Sequence, residues 1–203
     1  MSGPQFIHFQ SYSRKANKAG QSIEQVLGEA VRAPQYSKHV AEPLPPVVVY
    51  GEAIEELDKQ QDEMVSAGFV DVALKDGRIA QRGIRKDRHI LLTAVASYPV
   101  PVALVQADTD ARREYEQWRS LNIAWLRRMF FDGLISVVEY WDEAHSHIHA
   151  YILPVNDPGC SARQLSPAWL AKEEAARLAG EDDRTAVRLG NAAYRERATR
   201  VAG

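Results

Sequence analysis

The chain has 203 residues, 45% of them hydrophobic, a formal net charge of −2 and a pI of about 6.3. It is long enough to bury one core, and its mildly acidic balance argues against a nucleic-acid binder that works by overall positive charge, leaving room only for a local basic stripe. The single cysteine, Cys160, excludes an intramolecular disulfide, no apolar run nears the ~18 residues that span a bilayer, and MSGPQFIHFQ lacks the regions of a signal peptide, so a cytoplasmic protein is expected.

In chain order, Phe6-Ile-His-Phe9 starts a strand, and the basic, small-residue stretch Arg14 to Gly20 reads as a loop. Ser22 with Gln25 three residues on has the form of a capping box, and Ile23, Val26, Leu27 and Ala30 follow at helical spacing, with the helix ending before Pro34. Pro43, Pro45 and Pro46 remove donors and make the segment from Tyr36 a rigid, extended loop. Val47 to Tyr50 predicts an edge strand and Ile54 to Ala67 a helix, whereas 68–83, with three glycines, is mixed. Ile90 to Val95 reads as a buried strand ended by Pro99 and Pro101, and Thr109 to Phe131 as a long helix broken by Gly133. Leu134 to Val138 and His147 to Leu153 predict paired strands, and Ser166-Pro167 opens a helical tail with proline near its first turn.

The stretch EYWDEAHSHIHAYILP, Glu139 to Pro154, places three of the six histidines within five residues, just after Asp142 and Glu143. On a regular strand His145, His147 and His149 share one face and Ile148 and Ala150 the buried other. Two imidazoles at i and i+2 can reach one divalent ion, and neighbouring carboxylates complete or orient such a shell. The plain alternative is a set of polar, solvent-facing positions on a half-buried strand.

Asp142-Glu143 followed by His147-Ile148-His149, together with Gly83-Ile84-Arg85-Lys86-Asp87 ahead of the Ile90 strand, resembles the Mob/Pre (MobV-type) plasmid mobilisation relaxases of the HUH endonuclease superfamily. The resemblance covers roughly residues 6–155. It implies an α+β fold in which an antiparallel sheet carries the HUH motif on a central strand flanked by helices, over 1–160, with a helical C-terminal extension over 161–203. It implies a DNA relaxase that nicks one strand at a plasmid or mobile-element transfer origin, single-stranded or hairpin, and stays joined to the 5′ phosphate. A divalent ion, Mn or Mg, acts there as a Lewis acid, and components of the conjugation machinery are implied as partners. By position, His147 and His149 match two metal ligands and Glu143 the acidic residue beside them. The third ligand position holds Tyr140, a poor substitute for neutral imidazole, which leaves Glu143 or His145 to take that place.

The family's helix histidine, three residues before an arginine, falls on Glu29 when Arg32 is matched. The loop beyond offers Tyr36 and His39 as attacking groups instead, and Tyr12 is a lesser candidate. Arg14, Lys15 and Lys18 in one loop, and Arg85 and Lys86 in the second block, are candidate phosphate contacts. Two other readings remain open. One is a histidine-triad nucleotide hydrolase or transferase using the His145, His147, His149 alternation without metal; the other is a relaxase-like DNA-binding protein that no longer cuts.

Overall fold

The computed structural model describes residues 6–178 and, beyond them, Ala192 alone; the rest of the expected extension lies outside the described residues. Among the described residues seven strands form: β1 Phe6–Ser13, β2 Val47–Gly51, β3 Phe69–Ala73, β4 Ile79–Gly83, β5 His89–Pro101, β6 Leu134–Tyr140 and β7 His145–Ile152. Five of them make one sheet in the order β1-β5-β7-β6-β2, antiparallel at each pairing, and β3-β4 is a separate hairpin. The helices are α1 Ile23–Ala30, α2 Ile54–Ala67, α3 Val102–Ala107, α4 Thr109–Phe130 and α5 Pro167–Leu178. This is the α+β class with an antiparallel sheet flanked by helices, and the histidine strand β7 is central, bonded on both sides.

The period of two along each strand splits the core in two. Ile148, Ala150 and Ile152 of β7, Leu92, Ala94 and Ala96 of β5 and Ile7 and Phe9 of β1 pack on Tyr115, Trp118, Leu126 and Phe130 of α4. The opposite face, Leu91, Val138, Tyr140, Tyr151 and Leu153, packs on Ile23 and Leu27 of α1 and Ile54 and Leu57 of α2. Full burial of each such aliphatic side chain contributes about 1.5–3 kcal/mol, so the sheet is held from both sides. No helix among the described residues is long and apolar enough to cross a membrane.

Four expectations change. Residues 68–83 form the β3-β4 hairpin, whose turn closes through Leu74 N–H to Arg78 O (2.8 Å) with Gly77 at φ +84°, a conformation that favours glycine. Strand β5 does not stop at Pro99 but runs to Pro101, because the register with β7 slips between Ser97 and Pro101 and frees the prolines from the ladder. The capping box is half made: Ser22 Oγ accepts from Gln25 N–H (3.3 Å), while the Gln25 side-chain oxygen is buried without a partner among the described residues. The chain beyond 160 begins inside the core, since Ala162 is buried against the α4 side of the sheet.

Candidate active site

The site is built where the C-terminal end of α1 meets the β6-β7 turn. Ile23, Leu27 and Ala30 are buried, which leaves Glu29 free to face outward over the sheet. After the helix, Arg32 takes a left-handed backbone conformation (φ 56°) that turns its side chain inward. Its Nε donates to Asp142 Oδ2 (2.8 Å), its Nη2 to Asp142 Oδ1 (2.5 Å) and, at 3.2 Å, to Glu143 Oε1. The Leu44 N–H adds a bond to Asp142 Oδ2 (3.2 Å), so one carboxylate ties the α1 exit, the proline segment and the β6-β7 turn together. Burial raises the Asp142 carboxyl and the Arg32 and Leu44 hydrogen bonds outweigh it, holding it below its usual range. Asp142 is therefore spent on Arg32, and Glu143 is the acid left beside the histidines.

On the face towards α1 lies a half-open cavity of about 380 Å³, lined by Tyr12, Glu29, His39, Glu143, His147 and His149, with Thr93, Val95 and Ser97 of β5 among its walls. Ser97 pairs with His147 and Val95 with His149 across the ladder, which sets the two rings side by side, centroids 4.9 Å apart. Burial, with His147 and Arg32 nearby, pushes the His149 pKa down to about 3, so its ring is neutral. His147 Nδ1 lies 3.2 Å from the His145 carbonyl, which places a proton on Nδ1. Its Nε2 lone pair then faces Glu143 Oε1 at 3.5 Å. Across the cavity, His39 Nε2 is 3.6 Å from Glu29 Oε1.

Tyr140, the residue opposite His147 on β6, stacks on that ring (centroids 5.1 Å, 19°) and lies 4.8 Å from the His149 ring. Its hydroxyl donates to the Ala30 carbonyl (2.9 Å), and the Arg32 guanidinium sits 4.2 Å over its ring. Burial raises the phenol to about 12. That oxygen is committed to the helix end and is no donor to an ion beside the imidazoles. In donor chemistry His147, His149 and Glu143 suit a divalent cation, with neutral rings and one free carboxylate. As placed, no three His, Cys, Asp or Glu side chains converge on one point among the described residues.

Other expected residues fall elsewhere. His145 does not line this cavity: the register slip puts Pro101, not Pro99 two residues after Ser97, opposite it, and its side chain is exposed. The three alternating histidines of β7, His145, His147 and His149, thus do not share one pocket, as the histidine-triad reading would require. Tyr36 also lies outside, its hydroxyl donating to Glu24 Oε1 (3.1 Å) and its ring packed where a Cβ on Gly28 would overlap it. Arg32 lies behind the cavity wall, in the buried ion pair. Arg14 Nη2 donates to the Ile84 carbonyl (2.8 Å) and Arg85 pairs with Asp87 (2.7 Å), whereas Lys15, Lys18 and Lys86 are exposed. Thr93 and Ser97, absent from the sequence candidates, join the site because they alternate with the buried Ala94 and Ala96 on β5, which extends past the buried strand expected over Ile90 to Val95. Tyr12 lines the cavity with its phenol raised to about 12, chiefly by burial, which disfavours it as an attacking group.

No family model matches the chain, and no curated protein matches it. Among solved structures it is similar to the MobM relaxase domain (MOBV; Mob_Pre) bound to oriT DNA, with a TM-score of 0.49 and 13% identity over 86% of this chain and 84% of that one.

Proposed function

We propose that the chain is a relaxase-type enzyme that cuts one DNA strand in the cavity between α1 and β7 and keeps the 5′ phosphate on His39. The observation that carries this reading is that two histidine–carboxylate pairs, Glu29–His39 and Glu143–His147, line one open cavity together with a neutral His149. With Nε2–H of His39 directed at Glu29, its Nδ1 lone pair is free to attack. A new P–N bond forms, the P–O3′ bond breaks, and the 3′ oxygen leaves and takes a proton from water. Glu29 balances the positive charge that grows on the imidazole ring. His147 and Glu143 hold the opposite side of the phosphate site, and Thr93 and Ser97 supply hydroxyls along the floor. A divalent ion, Mn²⁺ or Mg²⁺, would be held by His147, His149 and Glu143 and would supply Lewis-acid polarisation of the phosphate oxygens. DNA is the substrate, and transfer machinery that receives the attached strand is the partner this chemistry serves.

The test is covalent capture. The full chain is incubated with Mn²⁺ and a random-sequence single-stranded DNA pool, then denatured in SDS, and protein–DNA adducts are counted. Adducts are expected for the wild type, for Tyr12→Phe and for Tyr36→Phe, and none for His39→Ala. Adducts that persist in His39→Ala overturn the assignment of the attacking group; DNA bound without any adduct in the wild type overturns the cutting activity.

A further inference from the structure

We infer a second ligand site, for a phosphate ester, in the cleft of about 290 Å³ lined by Arg85, Arg88, His89 and Arg163, with Val70 and Ile84 as its apolar wall. It shares no lining residue with the candidate active site. His89 Nδ1 is 2.8 Å from Ser11 Oγ, which ties the cleft to β1.

The argument rests on unbalanced charge. Asp87 lines the cleft but is taken by Arg85, through two hydrogen bonds of 3.0 and 2.7 Å. Asp157, the other nearby acid, accepts from the Gly159 and Ser161 N–H groups (2.8 and 2.7 Å). Arg88 uses only its Nε, donating to the Gly159 carbonyl (2.9 Å). The Arg163 guanidinium has no hydrogen bond or ion pair among the described residues and is held only by the Trp169 ring, 4.3 Å away. Burial and Arg163 lower the pKa of His89, so the positive charge of the cleft belongs to the arginines. Two planar guanidiniums with spare donors, fixed by an aromatic face and a backbone carbonyl, suit the oxygens of a phosphate. The apolar wall suits the organic part of the ester. The ester is either a free nucleotide or a backbone phosphate of the DNA strand.

Calorimetric titration of the full chain separates these cases. Inorganic pyrophosphate is expected to bind, with affinity at least tenfold weaker in Arg163→Gln and in Arg88→Gln, and unchanged in His39→Ala. Arg163→Gln is the informative variant for folding, because that guanidinium supports no hydrogen bond among the described residues. Single-stranded oligothymidylate of about 12 nucleotides forms the second arm. Loss of its affinity in Arg163→Gln, with competition by pyrophosphate, identifies a backbone phosphate; unchanged oligothymidylate affinity beside lost pyrophosphate binding identifies a free nucleotide. Absence of pyrophosphate binding, wild-type affinity in both arginine variants, or loss in His39→Ala overturns the site. Adduct formation is read separately, so either proposal can fail alone.

Discussion

The two faces of the β6-β7 pair carry polar groups at the same level of the sheet and treat them in opposite ways. On the α4 face, Ser146 Oγ donates to Tyr115 Oη (2.8 Å), Tyr115 donates to Glu139 Oε1 (2.5 Å) and Arg119 Nη1 donates to the same oxygen (2.9 Å). Burial and the Glu139 carboxylate keep the Tyr115 proton in place. Tyr98, Trp118 and Trp141 pack round the Tyr115 ring, so the Ser146 and Tyr115 hydroxyls and Glu139 Oε1 find their partners within the protein. One residue along each strand, on the α1 face, Tyr140, His147 and His149 also stack, but their ring nitrogens and Glu143 face an open cavity. A closed network adds stability, whereas donors and acceptors left open towards solvent are available to a ligand.

That contrast can be broken by mutation. The largest effect is expected from Arg32→Ala, which leaves the Asp142 carboxylate, 1% exposed, without its partner. A loss of about 3–5 kcal/mol follows from stranding a buried charge, read as a lower urea midpoint; a loss under about 1 kcal/mol would mean that the pair behaves as a surface contact. Next comes Tyr115→Phe, which strands Ser146 and unties Glu139, at about 1–3 kcal/mol with no effect on covalent capture. Tyr140→His sharpens the comparison from the site side. It removes the bond to Ala30, at about 1 kcal/mol, and adds an imidazole beside His147 and His149. Manganese binding, followed by electron paramagnetic resonance, is expected to tighten on the order of tenfold. Unchanged binding would show that position 140 does not reach the ion.

The same contrast divides what the sequence made legible. Alternation at period two was enough to set His147 and His149 on one face against Ile148 and Ala150, while the central place of β7 was implied only by the family resemblance. His145 left the set because of a register slip against Ser97–Pro101, and slips leave no periodic trace. The β3-β4 hairpin escaped notice for a different reason. It buries almost nothing, so Asp71, Gln81 and Arg82 interrupt the apolar signal. Arg32 was legible as a residue matched by position but not as a buried lock, because an inward turn at positive φ on a non-glycine residue depends on the partner 110 positions away. The placement of Tyr36 was likewise decided in space: its ring lies on Gly28, outside the cavity that His39 lines.

The smallest stability effect is expected at Glu143, and it tests the comparison most directly. Its side chain is 38% exposed, with one 3.2 Å contact to Arg32, whose charge is already met by Asp142, and a 3.5 Å approach to His147. Glu143→Gln keeps the shape and removes the charge, so unfolding should shift by no more than about 0.5 kcal/mol. Adduct formation should nevertheless fall on the order of 10- to 100-fold, because the amide no longer gathers a proton or cation against the His147 lone pair. A stability loss as large as that of Tyr115→Phe, with adducts unchanged, would make the α1 face a second closed network, and the open cavity would then be a packing feature with no chemistry of its own.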